Sequence, residues 1–215
     1  MWNIKKILLV IIACIMVISL VCICQKEKVK VGVIDGVIRE EKLDSLENIE
    51  YVAYTNLDEK DASLHGEKVL EIIRENNNVD VQYVSVEEKN NCINVENVVT
   101  AIEYLVEKNV DVINMSLAFS EDNAKLKNAI EKANKKGILV IAASSNIGVP
   151  SFPAMYPEVI AISKKNSILY NENSIEVDKY GCTSFDTAYV TNIVIKEKLL
   201  GKKKEKIVDI LRGKI

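Results

Sequence analysis

Residues Gly137 to Ser163, GILVIAASSNIGVPSFPAMYPEVIAIS, decide how this chain folds. Ile138–Ala143 is continuously apolar and rich in β-branched residues, which predicts a strand covered on both faces. It stops abruptly at Ser144-Ser145-Asn146-Ile147-Gly148, and Pro150, Pro153 and Pro157 hold the next loop open. Val159-Ile160-Ala161-Ile162 reads as the following strand. Open α/β sheets place ligand chemistry where a buried strand delivers small polar residues and an Asn to its C-terminal end. Taken alone, the segment fits an ordinary strand and turn equally well. Its weight comes from three other segments that supply an Asp, a His and a Ser.

Upstream, Val29-Lys30-Val31-Gly32-Val33-Ile34 predicts a strand ending in Asp35-Gly36, where an Asp serves either chemistry or a turn. Arg39–Glu50 is charged and reads as a loop, and Ile49–Tyr54 as a short strand. His65, the only histidine, precedes a helical stripe of Val69, Ile72 and Ile73, and Gly66 beside it permits close approach of another backbone. Strands are expected at Val79–Val86 and Asp111–Leu117, with amphipathic helices at Val95–Asn109 and Asp122–Lys136, the second closed by Gly137. Downstream, Ser167–Tyr180 suggests a hairpin about Asn171-Glu172-Asn173. Gly181-Cys182-Thr183-Ser184 leads into a helix, and residues 196–215 suggest a terminal one. The alternation of strand and helix predicts a doubly wound, mainly parallel α/β sheet in a domain spanning residues 29–215.

Residues 1–28 differ in kind. Ile7–Cys24 is an apolar run whose only polar member is Ser19, with lysines on both flanks. It is long for a signal-peptide core, and no Ala-x-Ala-like site follows, so a transmembrane signal anchor is expected. That places a single-pass protein in the cell membrane with its domain outside the cytoplasm. Of the five cysteines, three lie in this run; Cys92 and Cys182 remain, at no metal-binding spacing. The net charge of −3 and the lack of a basic stripe exclude nucleic acid as a partner.

Together the segments resemble the subtilisin-like serine peptidases, the subtilases. Val33-Ile34-Asp35-Gly36 resembles the family's aspartate motif, and Leu64-His65-Gly66-Glu67-Lys68-Val69 its histidine motif. Val112–Leu117 is similar to its cleft strand, Gly137–Ser163 to its oxyanion-Asn region, and Cys182–Val190 to the segment around its nucleophile. The order Asp, His, Asn, Ser is the family's. The resemblance implies that Ser184 attacks the scissile carbonyl, His65 relays its proton, and Asp35 orients the imidazole. It implies further that Asn146 donates to the oxyanion, and that Ser116, Leu117 and Ala118 pair with a peptide or protein substrate. No cofactor and no metal are expected.

Departures from the family pattern are several. Gly36 stands in place of Ser or Thr, Lys68 of a second His, Ala118 of Gly, Cys182 of Gly, and Ala188 of Pro. The interval from Asn146 to Ser184 is short, and no pro-domain fits between Cys24 and Val29. Asp186 takes the place of a small residue, and its carboxylate is expected to face solvent and cap the helix. Two readings follow: a membrane-tethered serine endopeptidase, or a degenerate subtilase fold that binds extended peptides without cleaving them. A phosphatase would need a second Asp where Val37 stands, and further carboxylates for Mg²⁺.

Overall fold

The computed structural model describes residues 11, 12, 14, 28–55, 57–75, 79–168 and 170–214. The expected membrane span at residues 7–24 therefore lies outside the described residues, apart from three positions. Among the described residues, no helix is long and apolar enough to cross a membrane.

The centre of the domain is a seven-stranded, wholly parallel sheet. Its strands are β1 (Val29–Asp35), β2 (Ile49–Ala53), β3 (Val79–Ser85), β6 (Val112–Met115), β7 (Leu139–Ala143), β8 (Val159–Ser163) and β9 (Ile175–Glu176). They run in the order β2-β3-β1-β6-β7-β8-β9, and an antiparallel hairpin of β4 (Glu87–Glu88) and β5 (Cys92–Ile93) lies apart. The helices are α1 (Glu40–Asp44), α2 (His65–Ile73), α3 (Val95–Glu107), α4 (Ala124–Lys135), α5 (Thr183–Leu199) and α6 (Lys204–Lys214).

Period-2 alternation splits the strands between two cores. Leu139 and Ile141 of β7 face a core shared with Val69 and Ile73 of α2, Val190 and Val194 of α5, and Ile207 of α6. Val140 and Ala142 face the other, with Ile102 and Leu105 of α3 and Leu126 and Ile130 of α4. Ile141 is fully buried, and cutting it to Ala would cost about 2–5 kcal/mol. Gly32 admits α3 closely, for a Cβ there would lie 2.6 Å from Leu105 Cδ1. Strand order reverses between β1 and β6, so the C-terminal ends of those two strands open the crevice where such sheets bind ligands.

Three local expectations need correction. Arg39–Glu50 is not all loop: Glu40–Asp44 forms α1, a turn of helix with no buried residue and so no apolar periodicity to read. Ser167–Tyr180 is not a hairpin; Ile175–Glu176 instead adds to β8 in parallel. Asn171 explains this, because its amide nitrogen donates to the Ala154 and Tyr156 carbonyls (2.7 and 2.8 Å) and staples the turn to the preceding loop. The tail also divides: α5 continues to Leu199, and α6 begins after the left-handed Gly201.

Candidate active site

Asp35 ends β1, is 3% exposed, and accepts the Gly36 N–H on Oδ1 at 2.7 Å. The same oxygen lies 2.8 Å from Nδ1 of His65, the first residue of α2. Nδ1 is therefore the protonated nitrogen, and Nε2 is the one free to take a proton. Close packing brings the two elements together. A Cβ on Gly66 would lie 2.2 Å from the Tyr83 hydroxyl, which is buried and donates to the Gly36 carbonyl at 2.8 Å. The Asp35 hydrogen bond raises the His65 pKa above its ordinary value against the opposing effect of burial, and the charges of Asp35 and Glu87 add to the rise.

Ser184 lies in the first turn of α5, where backbone N–H groups lack intrahelical partners. Its Oγ donates to the Ser116 carbonyl at 2.9 Å, and Ser116 Oγ donates back to the Ser184 carbonyl at 2.8 Å. Ser184 and His65 thus make no direct hydrogen bond. The His65 ring stacks instead on Phe185, with centroids 5.3 Å apart and planes 26° from parallel. Buried Asn114 sits behind the Ser116–Ser184 pair, its Oδ1 3.1 Å from Ser116 Oγ and its Nδ2 donating to Thr191 of α5 at 2.9 Å. Thr191 and Thr187 in turn donate to carbonyls four residues back, so polar groups line a helix that is buried on several sides.

Asn146 has a definite orientation. Cys182, the N-cap of α5, makes no side-chain cap bond, and Asn146 Oδ1 supplies it by accepting Thr183 N–H at 3.0 Å, while the Thr183 hydroxyl donates to the Ser144 carbonyl at 2.8 Å. The amide is thereby forced to turn Nδ2 outward, where its one contact is Cys182 Sγ at 3.9 Å. Cys92 and Cys182 are both free thiols.

Asp186 does not point to solvent. It is fully buried, and Oδ1 accepts the N–H groups of Tyr180 (2.8 Å) and Lys179 (3.1 Å) while Oδ2 has no partner. Burial pushes its pKa up, opposed by those two bonds. The carboxylate anchors the loop before α5.

Residues 117–119 form a ridge between two clefts. One, about 340 Å³, reaches Ser144, Asn146, Val149 and Ser184; the other, about 370 Å³, reaches Asp35, His65, Glu87 and Ile93. Leu117 and Ala118 line both, and Ser116, bonded to Ser184, lines the second. A larger hollow of about 510 Å³ lies by Asn134, Glu158 and Lys204, and holds none of these residues. Sequence reasoning missed Phe185, Asn114 and Glu87. Asn114 sat in plain view among apolar strand residues, a signal of a required buried polar group.

The doubly wound sheet carries an aspartate–histidine pair and a helix-borne serine at its C-terminal edge. The profile of the Subtilase family (peptidase S8) matches residues 26–198, and the chain belongs to that family. It is 29% identical over 154 residues to the minor extracellular protease Epr of Bacillus subtilis (strain 168), covering 65% of this chain and 24% of that protein. It is 42% identical over 72 residues to the major intracellular serine protease of the same organism, covering 30% of this chain and 23% of that protein. The chain thus spans about a quarter of the length of these curated relatives. Among solved structures, the protease domain of PatA (S218A mutant) superposes with a TM-score of 0.67 at 18% identity, covering 81% of this chain and 82% of that one. The prenylagaramide maturation protease PagA gives 0.64 at 20% identity, covering 81% and 75%. At these identities the likeness establishes the fold.

Proposed function

We propose that the chain is a serine endopeptidase acting on peptide or protein substrates. The observation that carries the reading is the 2.8 Å Asp35–His65 bond, set at the same crevice as Ser184 and leaving Nε2 to serve as base. Extended substrate lies along Leu117 and Ala118, placing alternate side chains in the two clefts. Turnover requires the Ser184 hydroxyl to leave the Ser116 carbonyl, its resting acceptor, and to hydrogen-bond to His65 Nε2. Attack on the scissile carbonyl then passes the hydroxyl proton to His65, and Asp35 stabilises the imidazolium. Asn146 Nδ2, turned outward by the helix cap, and the Ser184 N–H receive the oxyanion. Donors of this kind are worth about 2.7–4 kcal/mol in subtilisins. His65 returns the proton to the leaving amine, and water repeats the cycle on the acyl-enzyme.

Labelling by a fluorophosphonate probe tests the reading. Wild-type protein should label on Ser184 and the Ser184→Ala variant should not. Unlabelled wild type that still binds extended peptide would establish the non-cleaving alternative. We place the domain outside the cytoplasm, held by the apolar run at residues 7–24. The full chain should then stay with membranes through an alkaline carbonate wash while external protease reaches the domain; a soluble, shortened product would refute the tether.

A further inference from the structure

Gly36 departs from the family pattern, and its missing side chain leaves a space that Glu87 fills. A Cβ at Gly36 would lie 2.5 Å from Glu87 Oε2 and 3.3 Å from its Cδ. Glu87 lies in β4, paired with Ile93, and is 2% exposed. A carboxylate this deeply buried is costly unless its oxygens are bound. Both are: Oε2 accepts the Val37 N–H at 3.0 Å and Oε1 the Ser63 N–H at 3.2 Å. Val37 lies two residues after Asp35, and Ser63 two residues before His65. Charge-assisted bonds of this type are about twice as strong as neutral ones.

Ser63 lies just before Leu64, the N-cap of α2, which supplies no side-chain bond, so Glu87 fixes the segment that leads into the helix carrying His65. The groups facing the His65 ring are Asp35 from β1, Glu87 from β4, and Cys182 and Phe185 at the start of α5.

We propose that Glu87 is a positioning residue that clamps the Asp35 and His65 segments into one rigid unit, with Gly36 as the space that admits it. The catalytic consequence rests on the peptidase reading; the clamp itself does not. Neither partner is catalytic by contact, since Glu87 acts through the backbone on either side of the dyad.

His65 is the only histidine, so its titration can be followed by NMR in the full-length chain in detergent without assignment of others. Glu87→Gln keeps the size of the side chain, removes the charge, and turns an amide NH₂ against one of the two backbone donors. In that variant the His65 pKa should fall, and the downfield resonance of the Nδ1 proton shared with Asp35 should shift or broaden. Fluorophosphonate labelling of Ser184 should slow by about 10- to 100-fold, the scale of a small misplacement of reacting groups. A Glu87→Gln variant with the wild-type pKa and proton resonance would overturn the proposal. Should that variant fail to fold, Gly36→Ala displaces the carboxylate while keeping its charge, and an unperturbed Nδ1 resonance there would overturn it equally. Combining Gly36→Ala with Glu87→Ala should lose no more than Glu87→Ala alone, because the vacated space accepts the methyl group; additive losses would refute the pairing. If the wild type never labels, the peptidase reading falls and the titration still decides the clamp.

Discussion

The two halves of the site are built differently. On one side, Asp35 and His65 are already joined at 2.8 Å, flanked by Gly36, Gly66, Tyr83 and Glu87 in contacts that leave no slack. On the other, Ser184 donates to a backbone carbonyl and Asn146 uses its oxygen to cap a helix. The base half is held by buried bonds to backbone, and moving it would break several at once. The nucleophile half is held by a hydroxyl that turns about a single bond. The Ser184 contact with the Ser116 carbonyl is one neutral hydrogen bond, worth about 0.5–1.5 kcal/mol. Under the proposed peptidase reading, proton-transfer geometry would stay fixed while the serine waits for substrate to displace its resting partner.

Removing the nucleophile gives the largest expected effect. Ser184→Ala should abolish turnover, about 10⁶-fold as in subtilisins, whereas Asp35→Asn should cost about 10⁴-fold by presenting the wrong imidazole tautomer. Single-turnover kinetics on a chromogenic peptide separate the two. Equal losses would show that the halves are not distinct. Next comes Asn146, which serves both as cap and as donor. Asn146→Ala should cost about 10²–10³-fold in kcat and about 1 kcal/mol of stability. Asn146→Asp keeps the capping oxygen and loses the donor, so the rate should fall while thermal stability holds. If Asn146→Asp unfolds as readily as Asn146→Ala, the cap is not what orients this side chain.

The pH dependence tests the preformed half. The base must be neutral to act, and the raised pKa of His65 moves the acid limb of kcat/KM upward from the ordinary histidine value near 6.5. Activity should fall about tenfold per pH unit below that limb. Stability runs the other way. The Asp35–His65 pair stabilises the fold fully below the unfolded value near 6.5, and that contribution is lost as pH rises through the raised folded pKa. An acid limb at or below the ordinary value would show that the aspartate does not reach the imidazole in solution.

Much of this was legible in the sequence, for reasons that differ by residue. The buried strands announced themselves because both faces of β7 and β8 are covered and every position but Ser163 is apolar. Gly137 was readable as a helix stop because it takes φ +80°. Asp35, His65 and Ser184 were readable from motif order; Asp35 and His65 are joined at 2.8 Å, and Phe185, next to Ser184, stacks on the His65 ring. What stayed hidden depends on contacts between segments far apart in the chain. Glu87 reads as a charged surface residue until Val37 and Ser63 are seen to wrap it. The orientation of Asn146 depends on a helix cap lacking in Cys182, which no local pattern reports.

Asp186 gives the smallest expected effect on turnover and the clearest one on stability. Expected at the surface, it is instead fully buried, holding the Lys179 and Tyr180 N–H groups on one oxygen while the other has no partner. Asp186→Ala strips two donors of their acceptor, and leaving such groups unpaired costs about 1–3 kcal/mol. Asp186→Asn can keep a carbonyl oxygen in the Oδ1 position and relieves the burial of a charge, so it should match or exceed wild-type stability at neutral pH. Because burial raises the folded pKa of this carboxyl, wild type is penalised where the group must ionise. The gap between wild type and Asp186→Asn should therefore close as pH falls from the raised folded value towards the ordinary carboxyl range near 3.9. Urea titrations of the three proteins at two pH values measure this directly. Since the carboxylate anchors the loop before α5 and does not face the oxyanion, kcat of the folded Asp186→Asn variant should stay within about twofold of wild type, less than a 1.4 kcal/mol effect. A large rise in kcat on removing the charge would place Asp186 against the nucleophile half and undo its assignment to the loop.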